Sequence, residues 1–348
     1  MEGLTEVQRV GRVVPGTATT PARPADPGAG AQESKRLRPG RRLTSATSSE
    51  SGARLLSLRS RAAMWAGLGI GVAVYLVFGI APAVGNLVVS FTNYSGLPGS
   101  ATSFAGLRNY TALATSQRPG FVAGVIATAL FVVGVTVVQN VVALLLAHRL
   151  QGTGKVAALL RMAVFLPIVL GVTVVGLIWL LIFNPAGGPA ASFFGDFGVQ
   201  SAYFGGSSSA LPLVIMVQIW QNLGFTMLVF IGGLRAIPPD LYEAADIDGV
   251  TAWQRLRSIT VPLLAPAVTV NVLLAVVGSF TLYNLIYVLT GGLHGTNTLG
   301  MLAFTAAFGT SADLGYGAAV SIALFVMTFI VALPLLAWLR TRERRVLA

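Results

Sequence analysis

Asp240, Glu243, Asp246 and Asp248 crowd together about two thirds of the way along the chain, in the run Ile237-Pro238-Pro239-Asp240-Leu241-Tyr242-Glu243-Ala244-Ala245-Asp246-Ile247-Asp248-Gly249. An enzyme needs convergent acid, base or metal-binding groups, and none gather around this run. The two histidines, His148 and His294, lie far apart with no carboxylate at ligand spacing, so a metal site is not expected. Cysteine is absent, which excludes disulfides, thiolate catalysis, Fe–S clusters and cysteine-based zinc sites. Gly152-Thr153-Gly154-Lys155 has the lysine of a phosphate-binding loop. Position 149, however, is Arg where the first glycine of G-x-x-x-x-G-K should fall, Val156 replaces Ser or Thr, and no strand precedes. Any ATP chemistry therefore belongs to another chain. Asn93-Tyr94-Ser95 and Asn109-Tyr110-Thr111 match glycosylation sequons, but so short a pattern arises often by chance.

The acidic run continues Val250-Thr251-Ala252-Trp253-Gln254-Arg255-Leu256-Arg257-Ser258-Ile259-Thr260-Val261-Pro262, and residues 237–262 read as two short helices. Asp240 is placed to N-cap the first, with Glu243 answering three residues on. Gly249 suits the left-handed position that closes it. Thr251 with Gln254 forms a second capping box. Trp253, Leu256 and Ile259 make one apolar stripe, and Pro262 is expected to end the helix. A helix–turn–helix of this kind could be mistaken for a DNA-binding module, but the carboxylates of its first helix repel phosphate. Docking against a protein partner is the better use.

What positions this loop is a membrane. Hydrophobic residues make up 54% of the 348 residues and charged ones 10%, too few charges for a water-soluble surface. Six apolar stretches, at about 63–91, 121–147, 158–183, 210–234, 264–289 and 316–338, are each long enough to cross a hydrocarbon core of roughly 30 Å. The net charge of +11 follows the same plan. Of 23 Lys and Arg, 21 fall in alternate segments: the N-terminal tail, 148–161, 235–263 and the C-terminal tail. The remaining two, Arg108 and Arg118, fall on the other side. The positive-inside rule then puts both termini and the acidic loop in the cytoplasm. The expected fold is all-α, a polytopic membrane protein of six transmembrane helices over residues 61–348. Residues 1–60, rich in Gly, Pro, Ser, Thr and Arg, read as a disordered basic cytoplasmic tail.

Within the spans no ionisable residue sits at mid-helix, which argues against an internal proton or ion relay. Neutral polar residues do: Gln139, Asn140, Gln218, Gln221, Asn222, Asn271, Ser279, Thr281, Tyr283 and Asn284. One reading is hydrogen bonding between helices, at roughly 0.6 kcal/mol per bond. The other is a path for an uncharged, hydroxyl-rich solute. Asn222, Tyr283 and Asn284 are the candidates for that path, because such ligands need fixed hydrogen-bond partners and aromatic faces.

The run Glu243-Ala244-Ala245, with Gly249 and Ile259-Thr260-Val261-Pro262, resembles the coupling loop of ATP-binding-cassette importer permeases. Ser90-Phe91-Thr92-Asn93-Tyr94, Phe104-Ala105-Gly106-Leu107-Arg108-Asn109-Tyr110 and Leu314-Gly315-Tyr316-Gly317-Ala318-Ala319-Val320-Ser321 are similar to its carbohydrate-uptake branch, the type of permease found in maltose and glycerol-phosphate import systems. The resemblance covers roughly residues 62–345. It implies a type I importer permease fold without covalent catalysis. Glu243, Ala244, Ala245, Asp248, Gly249 and Pro262 would then contact a cytoplasmic ATPase dimer, which alone binds ATP and Mg, so no cofactor is expected in this chain. Further implied partners are a second homologous permease chain, an extracytoplasmic sugar-binding protein and membrane lipid, with no nucleic acid. The rival readings are a secondary carrier of a neutral polar solute working alone and a membrane-embedded enzyme.

Overall fold

The computed structural model describes residues 64–97, 99–115, 120–198, 203–310 and 312–347. The tail 1–60 lies outside them. The chain divides into two units, Met1–Leu68 and Gly69–Ala348, and the packing described below is that of the second.

Among the described residues four helices are long and apolar enough to cross a membrane: α1 (Met64–Val89), α3 (Gly120–Leu150), α7 (Ala210–Arg235) and α13 (Leu314–Leu347). Two bent pairs raise the count to six if each pair is one span: α4 (Lys155–Val169) with α5 (Val172–Ile182), at 104°, and α9 (Ala252–Leu263) with α10 (Ala265–Thr281), at 69°. Shorter helices fill the connections: α2 (Arg108–Ala114), α6 (Pro189–Gly195), α8 (Pro239–Ile247), α11 (Asn284–Thr290) and α12 (Leu299–Phe308). Among the described residues the only β feature is an isolated bridge between Thr92 and Phe104.

The expected third and fifth spans differ from the observed ones, for reasons written in the backbone. In the third, Pro167 lacks the N–H that would continue the ladder, and the chain tightens into a 3₁₀ turn over Leu166–Val169 before Gly171 turns extended. The carbonyl left free at Leu170 accepts from Gln221 Nε2 of α7 at 3.2 Å. The fifth does not run to 289. It stops at Thr281, Leu282 is extended, and 284–290 forms the separate helix α11.

α3 and α7 form the central pair. Ala143 and Ala147 are fully buried and bring α3 close to Met227, Phe230, Ile231 and Leu234 of α7, with Leu264 at the same contact. Small residues do this in membranes because lipid offers no hydrophobic drive between helices, so close van der Waals contact must supply the attraction. A second cluster joins Phe131 and Val135 of α3 to Val175 of α5, Val214 and Val217 of α7, and Leu285 and Ile286 of α11. Gly224 lets α7 pass directly over the elbow of α4, since a Cβ there would run into the backbone of Val164 and Phe165. On the outer faces Leu130, Val133, Val137 and Val141 of α3 remain exposed, as expected of side chains that face lipid or another chain.

Three sequence-distant segments meet at one end. Asn109 Nδ2 donates to the carbonyls of Ser90 (2.9 Å) and Thr92 (2.8 Å). Ser90 Oγ and Tyr110 Oη lie 2.6 Å apart. Gly315 N donates to Tyr94 O at 2.9 Å, with no room for a side chain beside Thr92 O. Asn109 is buried, so its sequon serves packing and not glycosylation.

Candidate functional site

Two arrangements stand out, a protruding loop and a polar cavity between helices. The loop holds α8 and α9. Its first helix is not capped as expected. Pro238 is the N-cap residue, without a side-chain hydrogen bond, and Pro239 and Asp240 are the first two helical residues. Proline is preorganised for the first turn and has no N–H to leave unsatisfied, so it displaces Asp240 from the cap. Asp240 instead complements the helix dipole from within the first turn.

The other end of α8 follows the expectation. Gly249 has φ +69°. Val250 N donates to Ala245 O (3.0 Å) and Gly249 N to Asp246 O (3.3 Å), the paired bonds of a Schellman closure. α9 then opens on the expected capping box. Thr251 N donates to Gln254 Oε1 at 2.9 Å, and Gln254 N donates to Thr251 Oγ1 at 3.4 Å.

Pro262 does not end this helix. A wide turn over Leu256–Thr260 absorbs the missing N–H, and the helix runs on to Leu263 before it breaks at Leu264. Pro266, in the first turn of α10, has no N–H for the carbonyl of Pro262, which helps to place the break there. The apolar stripe is also divided: Leu256 and Ile259 are half-buried at the root of the loop, while Trp253 is 67% exposed. Glu243, Ala244, Asp248 and Gly249 face outward, and Ala245 faces inward and is buried. Ile247, beside them, is 87% exposed. The loop thus presents two apolar knobs, Ile247 and Trp253, in an acidic setting and on either side of a glycine turn.

The second arrangement is a cavity of about 200 Å³ between α3, α7 and α10. Gln139, Gln218, Asn222, Thr226, Asn271 and Ser279 supply its polar lining and Phe225 an aromatic wall. Thr226 is the junction. Gln139 Nε2 donates to Thr226 Oγ1 at 2.7 Å, and Asn271 Nδ2 donates to Thr226 O at 3.1 Å. The amide nitrogens are thereby occupied, while Gln139 Oε1, Asn271 Oδ1 and Ser279 Oγ have no protein partner. These three side chains are buried, and an unsatisfied polar atom at such a place costs on the order of 1–3 kcal/mol. Uncharged polar side chains lining a cavity suit a hydroxyl-rich, uncharged ligand.

The three residues expected to form the path do not come together. Asn222 lines the cavity, its Nδ2 donating to Gln218 O at 3.0 Å. Tyr283 lies past the end of α10 and stacks on Phe304 of α12, with ring centroids 4.8 Å apart. It borders a different cavity of about 320 Å³, together with Asn86, Thr281 and Phe308. Asn284 is exposed, and its Oδ1 accepts from Leu285 N at 2.9 Å. Its role is local. Gln139, Asn271 and Ser279 take the places beside Asn222 instead. A signal for them exists in the spacing. Gln218, Asn222 and Thr226 recur every four residues, as do Asn271, Ala275 and Ser279, which puts each set along one helix face.

The sequence profile of the binding-protein-dependent transport system inner membrane component matches residues 139–346. The chain belongs to that family. This inner membrane component is similar to a trehalose/maltose transport system permease of Thermococcus litoralis, 34% identical over 260 residues that cover 73% of this chain and 85% of the relative. It is 29% identical to a multiple sugar-binding transport system permease of Streptococcus mutans, covering 77% and 92%. A solved bacterial alginate ABC transporter chain superposes with a TM-score of 0.68 at 19% identity, covering 83% of this inner membrane component and 96% of that chain. That likeness shows the fold. The matched family region begins at Gln139 and takes in the whole of the loop and the cavity helices α7 and α10. As a permease component, the chain is the non-catalytic part of its transporter.

Proposed function

We propose that this inner membrane component is the permease subunit of an ATP-driven importer for a neutral sugar or polyol. The observation that carries the reading is the cavity between α3, α7 and α10, lined by Gln139, Gln218, Asn222, Thr226, Asn271 and Ser279 and by no Lys, Arg, Asp or Glu. Relatives named for trehalose, maltose and multiple-sugar transport support the same solute class. In this reading the solute passes Asn222, Gln139, Asn271 and Ser279.

The loop couples the permease to a separate cytoplasmic ATPase dimer through Glu243, Ala244, Asp248 and Gly249, flanked by Ile247 and Trp253. Ala245 and Pro262 belong to the root that carries the motion into α10. The Lys and Arg distribution places this loop and both termini in the cytoplasm. A second homologous permease chain covers exposed apolar faces, a binding protein delivers solute from outside, and residues 1–60 are dispensable for assembly. Tyr283 borders the outer approach rather than the central cavity.

The test is uptake in proteoliposomes. The permease pair with ATPase and binding protein should accumulate a labelled neutral disaccharide only with ATP on the ATPase side. Accumulation by the permease without any ATPase would support a secondary carrier instead.

A further inference from the structure

Arg255 makes three different contacts within the loop. Its Nη1 forms an ion pair with Asp246 Oδ1 at 2.8 Å. Its guanidinium carbon lies 5.7 Å from the centre of the Tyr242 ring, within cation–π range. Its carbonyl accepts from Thr260 Oγ1 at 3.4 Å, and Thr260 Oγ1 in turn lies 3.2 Å from Tyr242 Oη. Asp246 and Tyr242 belong to α8, Arg255 to α9, and Thr260 is the buried residue near the break at Leu264. Tyr242 also packs against the cluster that holds Met227, Phe230 and Leu264. One side chain therefore ties the outer end of α8 to α9 and, through Tyr242 and Thr260, to the hinge.

Without the Arg255 side chain the two helices are joined through the turn Asp248, Gly249, Val250 and Thr251 and by the hydroxyl contact between Tyr242 and Thr260. Gly249 stands at positive φ with open space around its Cα. A turn of that kind is a pivot. A push on Ile247 would then be taken up in part by rotation about Gly249 instead of passing whole to α9 and α10.

We infer that Arg255 is a positioning residue that makes α8 and α9 one rigid lever and so fixes the spacing of Ile247 and Trp253. The inference rests on the reading that the loop couples to an ATPase. Arg255 and Asp246 are both partly exposed, and an exposed ion pair contributes little to stability. Its loss therefore shows in transmission and not in folding. Arg255 is preferred to Lys because the planar guanidinium can pair with a carboxylate and lie over a ring together.

The experiment uses the full chain with its partner permease, ATPase and binding protein. It compares wild type, Arg255→Ala, Arg255→Lys and the exchanged pair Asp246→Arg/Arg255→Asp. Arg255→Ala should copurify a normal amount of ATPase with normal basal hydrolysis, yet lower solute taken up per ATP hydrolysed about threefold or more. The exchanged pair should recover most of that loss, as coupled neighbours do in a double-mutant cycle, and Arg255→Lys should fall between. Wild-type uptake per ATP in Arg255→Ala, or an exchanged pair no better than Arg255→Ala, overturns the inference. Loss of copurified ATPase in Arg255→Ala overturns it too, because Arg255 would then be a docking contact. A second measurement separates this from the wider reading. In the permease without ATPase, Arg255→Ala should speed hydrogen exchange at the amides of residues 243–248. Unchanged exchange there removes the lever, whatever the loop binds. Faster exchange in a protein that binds no ATPase keeps the lever and removes the coupling.

Discussion

The loop at 237–262 and the cavity between α3, α7 and α10 are held by opposite means. In the loop the bonds that begin and end its helices are local: Thr251 with Gln254, Gly249 with Asp246, Val250 with Ala245. In the cavity the bonds that join its helices span a large part of the chain, from Gln139 to Thr226 and from Asn271 to Thr226. A protruding element has few neighbours to lean on and depends on capping. A buried element is set by its neighbours and can leave polar atoms free for a ligand. The loop should therefore fail through backbone strain while the membrane half stays folded, and the cavity should fail through loss of uptake while the loop stays docked.

The largest expected effect comes from crowding the membrane half. Gly224→Leu forces a side chain into the backbone of Val164 and Phe165 and should cost about 3 kcal/mol or more, at the upper end of overpacking. Thermal unfolding in detergent, followed by tryptophan fluorescence, should show a lowered midpoint or no folded protein. An unchanged midpoint would mean that α7 does not need to pass so close to α4.

Gly249→Val comes next. A β-branched residue at φ +69° is strained by roughly 1–3 kcal/mol. The unfolding midpoint of the membrane domain should hold, while copurified ATPase or stimulated hydrolysis falls. Equal loss of both folding and coupling would erase the distinction between the two regions.

Asn271→Leu removes one bond worth about 0.6 kcal/mol in a membrane together with one free acceptor. Uptake should drop severalfold while basal ATP hydrolysis persists. Asn284→Ala, at an exposed residue outside the cavity, should leave uptake close to wild type, which can be read in the same assay. Smallest of all is Thr251→Ala, where loss of the cap costs about 1 kcal/mol in the loop alone. Its signature is faster amide exchange in 251–255 with little change in transport.

The same contrast explains what can be read from the chain. The Schellman closure at Gly249 and the box at Thr251 are legible because both depend on residues a few positions apart. Asp240 misleads because two prolines precede it and the helix starts on the second. The spans are legible from composition, but their breaks are not, since Pro167 and Pro266 break helices whereas Pro334 sits inside the unbroken α13. Whether a membrane proline interrupts a helix depends on which neighbours donate to the carbonyl it leaves without a partner. The cavity residues are visible as polar residues at membrane depth. Tyr283 and Asn284 group with them only if the fifth span is continuous, and the extended residue Leu282 removes both from the face that carries Asn271 and Ser279. The segments around Tyr94, Asn109 and Gly315, which carry the resemblance to carbohydrate-uptake permeases, pin one another in the fold.

The central claim is that one region transmits ATP hydrolysis and the other passes solute. The most direct measurement takes ATP hydrolysis and labelled-sugar uptake side by side in proteoliposomes that carry the full complex, for Gly249→Val and Asn271→Leu. Gly249→Val is predicted to lower stimulated hydrolysis and uptake together, and Asn271→Leu to lower uptake while the ATPase stays bound and keeps its basal rate. Normal uptake in Asn271→Leu, or loss of the bound ATPase from it, would contradict that division of labour.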